Sequence, residues 1–150
     1  MKIKSLVEDK QVFVPAFLFN SQLGDNPFQM NFMVDTGATR TTILQGDAMR
    51  LGIKFLKLKK SNRPVIGVSG KQDVYELEDV ILAFEKISLQ DLIYVRLEKI
   101  DVVKPRKNSI DFPLSVIGVD LLQRFHFDYC NPRASLTCKT HKINGLDYIR

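Results

Sequence analysis

The sequence predicts a mainly β protein with one or two short helices. Short runs rich in Val, Ile, Leu, Phe and Tyr alternate with turns rich in Gly, Pro, Asn and Asp, a pattern typical of many short strands. Only the segments 45–52 and 119–125 have the residues that begin and end a helix. No internal repeat is visible, and 150 residues fit one domain of ordinary size. We therefore expect residues 1–150 to form a single domain.

The first two strands are expected to form a hairpin. Residues 12–19 are apolar, β-branched and aromatic, but Pro15 interrupts them, which predicts a strand near a sheet edge or one with a bulge. The segment 21–27 is a turn by composition. Residues 28–34 return as a second apolar strand, directly before Asp35. The outgoing arm of this hairpin therefore ends at a carboxylate.

A short helix and a second hairpin follow. Residues 45–52 predict a helix of about two turns, with Asp47 in its first turn and Gly52 as the left-handed residue that ends it. Residues 53–60 alternate apolar residues with lysines, as in a half-exposed strand or an extended connection. Residues 63–72 contain two glycines between extended arms and predict a glycine-hinged hairpin.

The second half of the chain predicts further strands and one more helix. Residues 73–84 and 87–97 are rich in Val, Ile, Leu and Tyr and are expected to supply two or three strands, whereas the polar segment 98–112 predicts a surface loop. A buried strand ending at Gly118 and a short helix should follow. The last predicted element is a hairpin with arms at 127–129 and 134–139.

Composition excludes several function classes. No apolar run approaches the length of a membrane span, and the first ten residues mix acids and lysines where a signal peptide would be apolar. We therefore expect a cytoplasmic protein without a membrane partner. The net charge of +5 includes a mild basic cluster, which we interpret as a solvated loop because no aromatic residues or ribonucleoprotein motif accompany it. A basic RNA-binding barrel is the weakest alternative, and no specific nucleic acid is expected. The cluster comprises Lys54, Lys57, Lys59, Lys60 and Arg63.

The cysteines and histidines predict neither a disulfide nor a metal site. Cys130 and Cys138 flank an expected hairpin turn, where they would lie out of register with each other, so we expect two buried free thiols. His126 and His141 stand apart from any carboxylate or cysteine cluster. No metal or organic cofactor is expected.

The tripeptide Asp35-Thr36-Gly37 is the strongest functional signal, and it occurs once. An apolar strand precedes it and a β-branched strand follows, which predicts a carboxylate at a sharp bend in a buried setting. One alternative is a tight turn, in which the acid bonds to nearby amides and the glycine eases the bend. The other is catalysis, for which an acid that activates water needs a second carboxylate to share the proton traffic. That second acid would have to come from another copy of the chain.

Three segments together resemble the retropepsin-like aspartic proteases. They are the Asp-Thr-Gly-Ala-Thr run from Asp35, the Gly-Val-Ser-Gly run at 67–70, and the Val-Ile-Gly-Val-Asp-Leu-Leu run at 116–122. The third is more similar to cellular and prokaryotic single-domain members than to the viral enzymes. The resemblance covers residues 12–139 and implies a closed β-barrel, the acid protease fold, that acts as a homodimer on peptide or protein substrates.

The resemblance also implies roles for individual residues. Asp35 and its copy would form the catalytic dyad, Thr36 would lock the two loops together across the two-fold axis, and Gly37 would let substrate lie against the loop. The substrate-binding residues would be Ala38, Arg40 and a flap made of Gly67, Val68, Ser69 and Gly70. Gly118 would let a strand pass closely behind the catalytic loop. Asp120 is better interpreted as the first-turn residue of a short helix than as a catalytic acid.

The chain departs from the viral pattern at Thr39 and Arg40, where viral members often carry acids. If Arg40 lines the cleft, acidic or polar substrate side chains would be favoured near it. Family members usually build their dimer interface from the chain termini, and the sequence leaves open which terminus would serve here. The alternative function is a retropepsin-fold dimerisation or peptide-binding module with little or no turnover.

Overall fold

The computed structural model describes residues 1–63, 65–67, 70–88, 90–106 and 114–150, with the backbone alone for 65–67 and 70. Within these ranges, the helices are α1 (Gln45–Leu51) and α2 (Val119–Leu122), and 3-10 turns cover Ser21–Leu23 and Phe55–Lys57. The strands are β1 (Lys2–Ile3), β2 (Leu6–Glu8), β3 (Gln11–Phe19), β4 (Phe28–Val34), β5 (Thr42–Ile43), β6 (Lys59–Lys60), β7 (Val65–Gly67), β8 (Gly70–Gln72), β9 (Val74–Glu85), β10 (Leu92–Val103), β11 (Val116–Ile117), β12 (Phe125–Cys130), β13 (Arg133–Cys138), β14 (Thr140–Ile143) and β15 (Leu146–Ile149).

Six strands close into a barrel. They follow the order β10, β5, β11, β4, β3 and β9, and the long antiparallel pairing of β9 with β10 closes the ring. The two-residue strand β11 lies between β4, to which it is parallel, and β5, to which it is antiparallel. The predicted mainly β fold with a closed barrel is confirmed.

The barrel encloses the hydrophobic core. Side chains of β3 alternate strictly between buried and partly exposed positions, as expected for a strand with one face on the core. Among the largest fully buried side chains are Phe32, Phe84 and Leu18, which come from β4, β9 and β3. Pro15 pairs with Asn31 of β4, and on its other side it lies between the residues that pair with β2 and those that pair with β9. Proline has no amide hydrogen to donate, and at Pro15 the side of β3 away from β4 has no strand partner in the described pairings. The proline therefore costs the sheet no described hydrogen bond.

A second, three-stranded sheet has the order β1, β13, β12. Beyond it, the hairpin of β14 and β15 extends the main sheet, because β15 lies parallel to β10 with Tyr148 opposite Tyr94. The predicted hairpin of β12 and β13 and the helix at Gln45–Leu51 are confirmed, and Gly52 has the expected left-handed conformation, with φ 65°. Among the described residues, no helix is both long and apolar enough to cross a membrane.

Two predicted segments were wrong. The expected surface loop at 98–112 is a strand as far as Val103, where β10 ends, while residues 107–112 of that prediction lie outside the described residues. The expected strand or extended connection at 53–60 contains a 3-10 turn at Phe55–Lys57 and only the two-residue strand β6. The five basic residues around this turn are all exposed, as expected for a solvated loop.

Candidate active site

The Asp35 loop leaves the barrel at the end of β4. The amide of Asp35 still donates to the carbonyl of Ile117, at 3.0 Å, which extends the pairing with β11 by one residue. The chain then turns, because the amide of Gly37 donates to Oδ1 of Asp35 at 2.9 Å and the amide of Ala38 donates to its carbonyl at 3.2 Å. The Asp35 carboxylate is therefore oriented by the backbone of its own loop.

The tip of this loop is open to solvent in the single chain. Asp35 is half-buried, and Thr36 and Gly37 are exposed. The expected buried setting of Asp35 is therefore wrong for one protomer, because the fully buried part of β4 ends before Met33 and the loop projects beyond it. A Cβ atom at Gly37 would lie 3.2 Å from Oδ1 of Asp35, so any larger residue here crowds the carboxylate.

Gly118 lies directly behind the loop, as predicted. A Cβ atom at this position would lie 2.3 Å from the carbonyl carbon of Arg40, a distance that real Cβ atoms do not reach. The adjoining backbone bonds to the loop, since the amide of Val119 donates to the carbonyl of Ala38 at 2.8 Å and that of Asp120 donates to Thr39 at 3.2 Å. Glycine is therefore required at 118 because two backbones meet there.

Asp120 stabilises this crossing. Its Oδ1 accepts hydrogen bonds from the amide and the hydroxyl of Thr41, both at 2.8 Å, and from the amide of Leu121 at 2.8 Å. The Thr41 hydroxyl in turn accepts from the amide of Gly118, at 3.1 Å. Asp120 lies in the first turn of α2, so its interpretation as a helix N-terminal residue is confirmed. Thr41 is buried, and nothing in the run Thr41-Thr42-Ile43 distinguished its hydroxyl from that of an ordinary β-branched strand residue.

A second polar bridge joins α1 to the strand behind the loop. The hydroxyl of Ser115 donates to Oδ2 of Asp47 at 2.6 Å and accepts from the amide of Leu44 at 3.1 Å. The carbonyl of Ser115 accepts from the amide of Met33 in β4, at 2.8 Å. Ser115 is fully buried, so β4, β11 and α1 are held together at the end of the barrel that carries Asp35.

Arg40 lies beside a buried acid of its own chain. Its Nη1 atom is 3.4 Å from Oδ1 of Asp101, a residue of β10 that is only 6% exposed. Burial raises the pKa of Asp101, and the Arg40 guanidinium partly opposes that rise. Opposite Asp101 on β9 lies Glu76, whose pKa is lowered chiefly by a hydrogen bond from Lys99 at 2.9 Å. The side chain of Arg40 is 32% exposed, so part of it faces solvent.

Asp101 was not predicted to be a buried partner of Arg40, because the segment 98–112 was interpreted as a surface loop. A signal was present, since Asp101 stands in the apolar run Ile100-Asp101-Val102-Val103. An acid within such a run is the same kind of signal that identified Asp35.

The predicted flap hairpin is present in the described backbone. Strands β7 and β8 pair antiparallel, with Gly67 opposite Gly70. Val68 and Ser69, the residues between them, lie outside the described residues. The role of this hairpin in substrate binding remains a prediction.

The described residues form no cluster suited to a metal. No group of three or more His, Cys, Asp or Glu side chains lies close enough together there to hold an ion. Cys130 and Cys138 are both free thiols, and in the hairpin of β12 and β13 they lie opposite different residues, Arg133 and Phe125. Cys138 is buried, which raises the pKa of its thiol. Cys130 is exposed, so the expectation of a buried thiol was wrong there.

The structure thus combines a closed barrel with an Asp-Thr-Gly loop that leaves the end of one strand and packs against Gly118 behind it. The chain matches the family described as "gag-polyprotein putative aspartyl protease" over residues 22–124. It belongs to this family and is a retropepsin-like aspartic peptidase.

One solved structure agrees with this assignment at the level of the fold. A retropepsin-like aspartic protease from Rickettsia conorii superposes with a TM-score of 0.54 at 23% identity, covering 91% of this chain and 88% of that chain. The EIAV protease complexed with the inhibitor HBY-793 gives a TM-score of 0.47 at 17% identity, covering 77% of this chain and 88% of that chain. The chain matches no curated protein sequence at a significant level.

Proposed function

We propose that the protein is a homodimeric aspartic endopeptidase whose active site is formed by Asp35 and the partner subunit's Asp35. The observation that carries this proposal is the form of the Asp35 loop. Its base is fixed by Gly118 and Asp120, whereas its tip, with Thr36 and Gly37, is exposed. A loop whose base is held by hydrogen bonds, and whose half-buried acid lies beside two exposed residues, is suited to meet a second copy of itself.

The chemistry follows from bringing two carboxylates together. When two carboxylates lie in contact, ionising both costs free energy because the like charges repel, so the pair holds one proton between them. The ionised carboxylate takes a proton from a water molecule, whose oxygen attacks the peptide carbonyl carbon, and the protonated one donates to the carbonyl oxygen. Collapse of the tetrahedral intermediate then breaks the C–N bond: the carboxyl that took the proton of water donates it to the nitrogen, and the other carboxylate takes a proton from a hydroxyl of the intermediate. The residues alone supply this reaction, so we propose no cofactor.

The neighbouring residues position the dyad and the substrate. Thr36 is exposed at the tip, as it must be to bond across a two-fold axis, and Gly37 keeps the carboxylate and an extended substrate in close approach. We assign substrate contacts to Ala38, to Arg40 and to the flap 67–70, which would exclude bulk water during the reaction. Because Arg40 is already beside Asp101, its preference for acidic substrate residues should be modest, and a cleavage profile on a peptide library measures it.

The same proposal covers the extent of the domain, its partners and its location in the cell. We treat residues 1–150 as one protease domain that acts on peptides or proteins and needs neither a nucleic acid nor a membrane partner. The two free thiols are compatible with a reducing environment, and we propose a cytoplasmic location.

The substitution Asp35→Asn tests the catalytic assignment. It keeps the size and the acceptor oxygen of the side chain but removes the ionisable group, so cleavage of a denatured protein substrate should fall at least about 1,000-fold. The matched control is Asp25→Asn, the same chemical change at an exposed turn, which should cleave at the wild-type rate. Circular dichroism checks that both variants are folded. Wild-type activity in Asp35→Asn would refute the assignment, and an inactive wild-type protein that still binds peptides would favour the binding module.

A further inference from the structure

The backbone of Arg40 is fixed close to the Asp35 loop. Its carbonyl accepts a hydrogen bond from the hydroxyl of Thr42 at 3.1 Å. Gly118 lies directly against the main-chain atoms of Arg40, with no room for a Cβ atom between them. The side chain of Arg40 therefore starts from a fixed point, in the same loop as Asp35.

From this point the side chain of Arg40 reaches toward the base of the flap hairpin. Its ion-pair partner Asp101 belongs to β10, which lies beside the loop because Asp101 pairs with Thr42 of β5. On its other side, Asp101 lies opposite Glu76 of β9, only four residues after β8 of the hairpin ends at Gln72. The Asp35 loop and the hairpin are the two parts of the chain to which the proposed function assigns substrate contacts. The pair of Arg40 and Asp101 lies where these two parts approach each other.

The contact with Asp101 leaves much of the guanidinium available. Nη1 of Arg40 is 3.4 Å from Oδ1 of Asp101, which is longer than the roughly 2.7–2.9 Å of a strong charged hydrogen bond. A guanidinium carries several N–H donors, and a carboxylate can accept from them in a bidentate arrangement. Since the side chain of Arg40 is partly exposed, a carboxylate of a substrate can reach its outer nitrogens.

The other charges around Asp101 are largely balanced by each other. Glu76, which faces Asp101 from β9, accepts a hydrogen bond from Lys99 of β10 at 2.9 Å. Lys59 of β6 lies opposite Glu76, but it is exposed, so solvent screens its charge. Among the described residues, the acid in contact with Arg40 is Asp101. The charge on Asp101 therefore decides how strongly Arg40 attracts an acidic group of a substrate.

We propose that Asp101 is a positioning residue that sets the preference for acidic substrate side chains at the subsite of Arg40, because it holds the guanidinium and neutralises its charge. While Asp101 is ionised, the preference is weak. When its charge is removed, Arg40 is free to bind a carboxylate of the substrate, and the preference becomes strong. This inference rests on the proposed function and specifies the substrate class of the same site.

The same arrangement makes the preference depend on pH. Burial raises the pKa of Asp101 and the charge of Glu76 adds to the rise, whereas Arg40 and Lys99 oppose it. Asp101 therefore gains its proton at a higher pH than an ordinary aspartate does, and it then no longer neutralises Arg40. The preference for acidic side chains should increase as the pH falls through the pKa of Asp101.

Peptide pairs that differ only by Glu or Gln at one position test the proposal. The quantity measured is the ratio of kcat/KM for the Glu peptide to that for the Gln peptide at neutral pH, for each position near the scissile bond. At one position, Asp101→Asn should raise this ratio about tenfold, because the guanidinium is no longer neutralised. Adding Arg40→Gln should return the ratio to about one. A ratio that Asp101→Asn leaves unchanged at every position would overturn the proposal.

Two variants distinguish this effect from a structural one. Asp101→Glu keeps the charge and should keep the ratio close to that of the wild type. Asp147→Asn removes an acid from the ion pair with Lys86 and should also leave the ratio unchanged. Asp147 adjoins Tyr148, which pairs near the start of β10, whereas Asp101 lies near the end of that strand. A similar rise in Asp147→Asn would overturn the proposal, because the rise would then not depend on Arg40.

The pH dependence can be measured on the wild-type protein, so it does not require a variant to fold. The peptide pair carries cysteic acid or Asn at the position found above, because the sulfonate of cysteic acid stays ionised. Titration of the catalytic dyad cancels in the ratio, since the same dyad cleaves both peptides. The wild-type ratio should rise as the pH falls below neutral, and that of Asp101→Asn should be high throughout. A wild-type ratio that does not change with pH would contradict the role of Asp101.

Binding measurements separate this inference from the proposed function. The dissociation constants of the same peptides for Asp35→Asn should show the same ratios, because that variant keeps Arg40 and Asp101. Cleavage by the wild type with ratios that do not respond to Asp101→Asn would refute the inference and leave the proposed function standing. Binding with the expected ratios but no cleavage by the wild type would support the inference and contradict the proposed function. A protein that neither binds nor cleaves these peptides would refute both.

Discussion

The Asp35 loop and the region around Lys86 hold their acidic side chains in opposite surroundings: one acid is unpaired among the described residues, and the others are paired with a lysine. The side chain of Lys86 is 2% exposed, and its Nζ atom lies 2.6 Å from a carboxylate oxygen of Asp147 and 3.1 Å from one of Asp91. The hydrogen bond to Asp147 raises the pKa of Lys86 despite its burial, and the pKa values of both acids are lowered. Asp35, by contrast, is half-buried, accepts from the Gly37 amide and forms no ion pair with any described residue.

This difference separates charges that are paired within one chain from a carboxylate that has no such ion pair among the described residues. Around Lys86, opposite charges within one chain satisfy each other and join the turn after β9 to the terminal hairpin. Behind the Asp35 loop, the side chains of Thr41 and Asp120 bond to each other and to backbone amides. The Ser115 hydroxyl bonds to Asp47 and to the amide of Leu44, so the loop is fixed without an ion pair to Asp35. The acid at the tip is therefore positioned by the chain but not neutralised by it.

Of the changes considered, Gly118→Ala should have the largest effect on the Asp35 loop, because it should reduce both stability and activity. The new methyl group would overlap the backbone of Arg40, so the strand and the loop must separate, at a cost of about 3 kcal/mol in the free energy of unfolding. Activity should be lost even in the fraction that stays folded. Urea unfolding and a cleavage assay at low temperature measure the two effects.

Gly37→Ala is the companion variant for that experiment. Its methyl group would meet the Asp35 carboxylate and not a backbone, so activity should fall while the free energy of unfolding changes by less than about 1 kcal/mol. Equal destabilisation by the two variants would show that Gly118 has no special structural role.

The change Lys86→Met should affect the ion pairs around Lys86, and it should lower the free energy of unfolding by less than Gly118→Ala does. It keeps the volume of the side chain but leaves Asp147 without its shortest ion pair, so we expect the free energy of unfolding to fall by about 2 kcal/mol at neutral pH. Lys4→Met is the control, because Lys4 forms an exposed pair with Glu85 and such pairs contribute little. Catalysis by folded Lys86→Met protein should be unchanged at protein concentrations that keep it dimeric.

The pH dependence of Lys86→Met has a defined sign. Acids whose pKa is lowered by folding stabilise the protein above their unfolded pKa, and that stability is lost as the pH falls through the folded pKa. The gap between wild type and variant should therefore narrow below about pH 4. A gap that stays constant down to pH 2 would show that the ion pairs are not its source.

The sequence predicted those elements that depend only on residues close together in the chain. The strand Phe28–Val34, the helix ended by Gly52 and the close approach at Gly118 follow from apolar runs, a left-handed glycine and the absence of a side chain. The end of β10 was missed because Lys99 and Asp101 read as loop residues. Their charges are compensated by partners far away in sequence, which a local pattern does not contain.

Contacts between residues far apart in sequence also limited what could be predicted of the candidate active site. The positions of Asp35 and Gly37 were predictable, but the exposure of Asp35 was not, because the burial expected from its apolar neighbours ends where the loop leaves the barrel. The role of Thr41 depends on Asp120, which lies 79 residues further along the chain. The terminal hairpin likewise depends on long-range pairing, with β10 and with Lys86.

The central claim is that the active site exists only in the dimer. The most direct measurement is the specific activity of the wild-type protein across protein concentrations that span its dissociation constant, with the dimer fraction determined by sedimentation equilibrium in the same buffer. The account predicts that specific activity rises in proportion to the dimer fraction, with the same midpoint. Full specific activity in a protein that sediments as a monomer would contradict it.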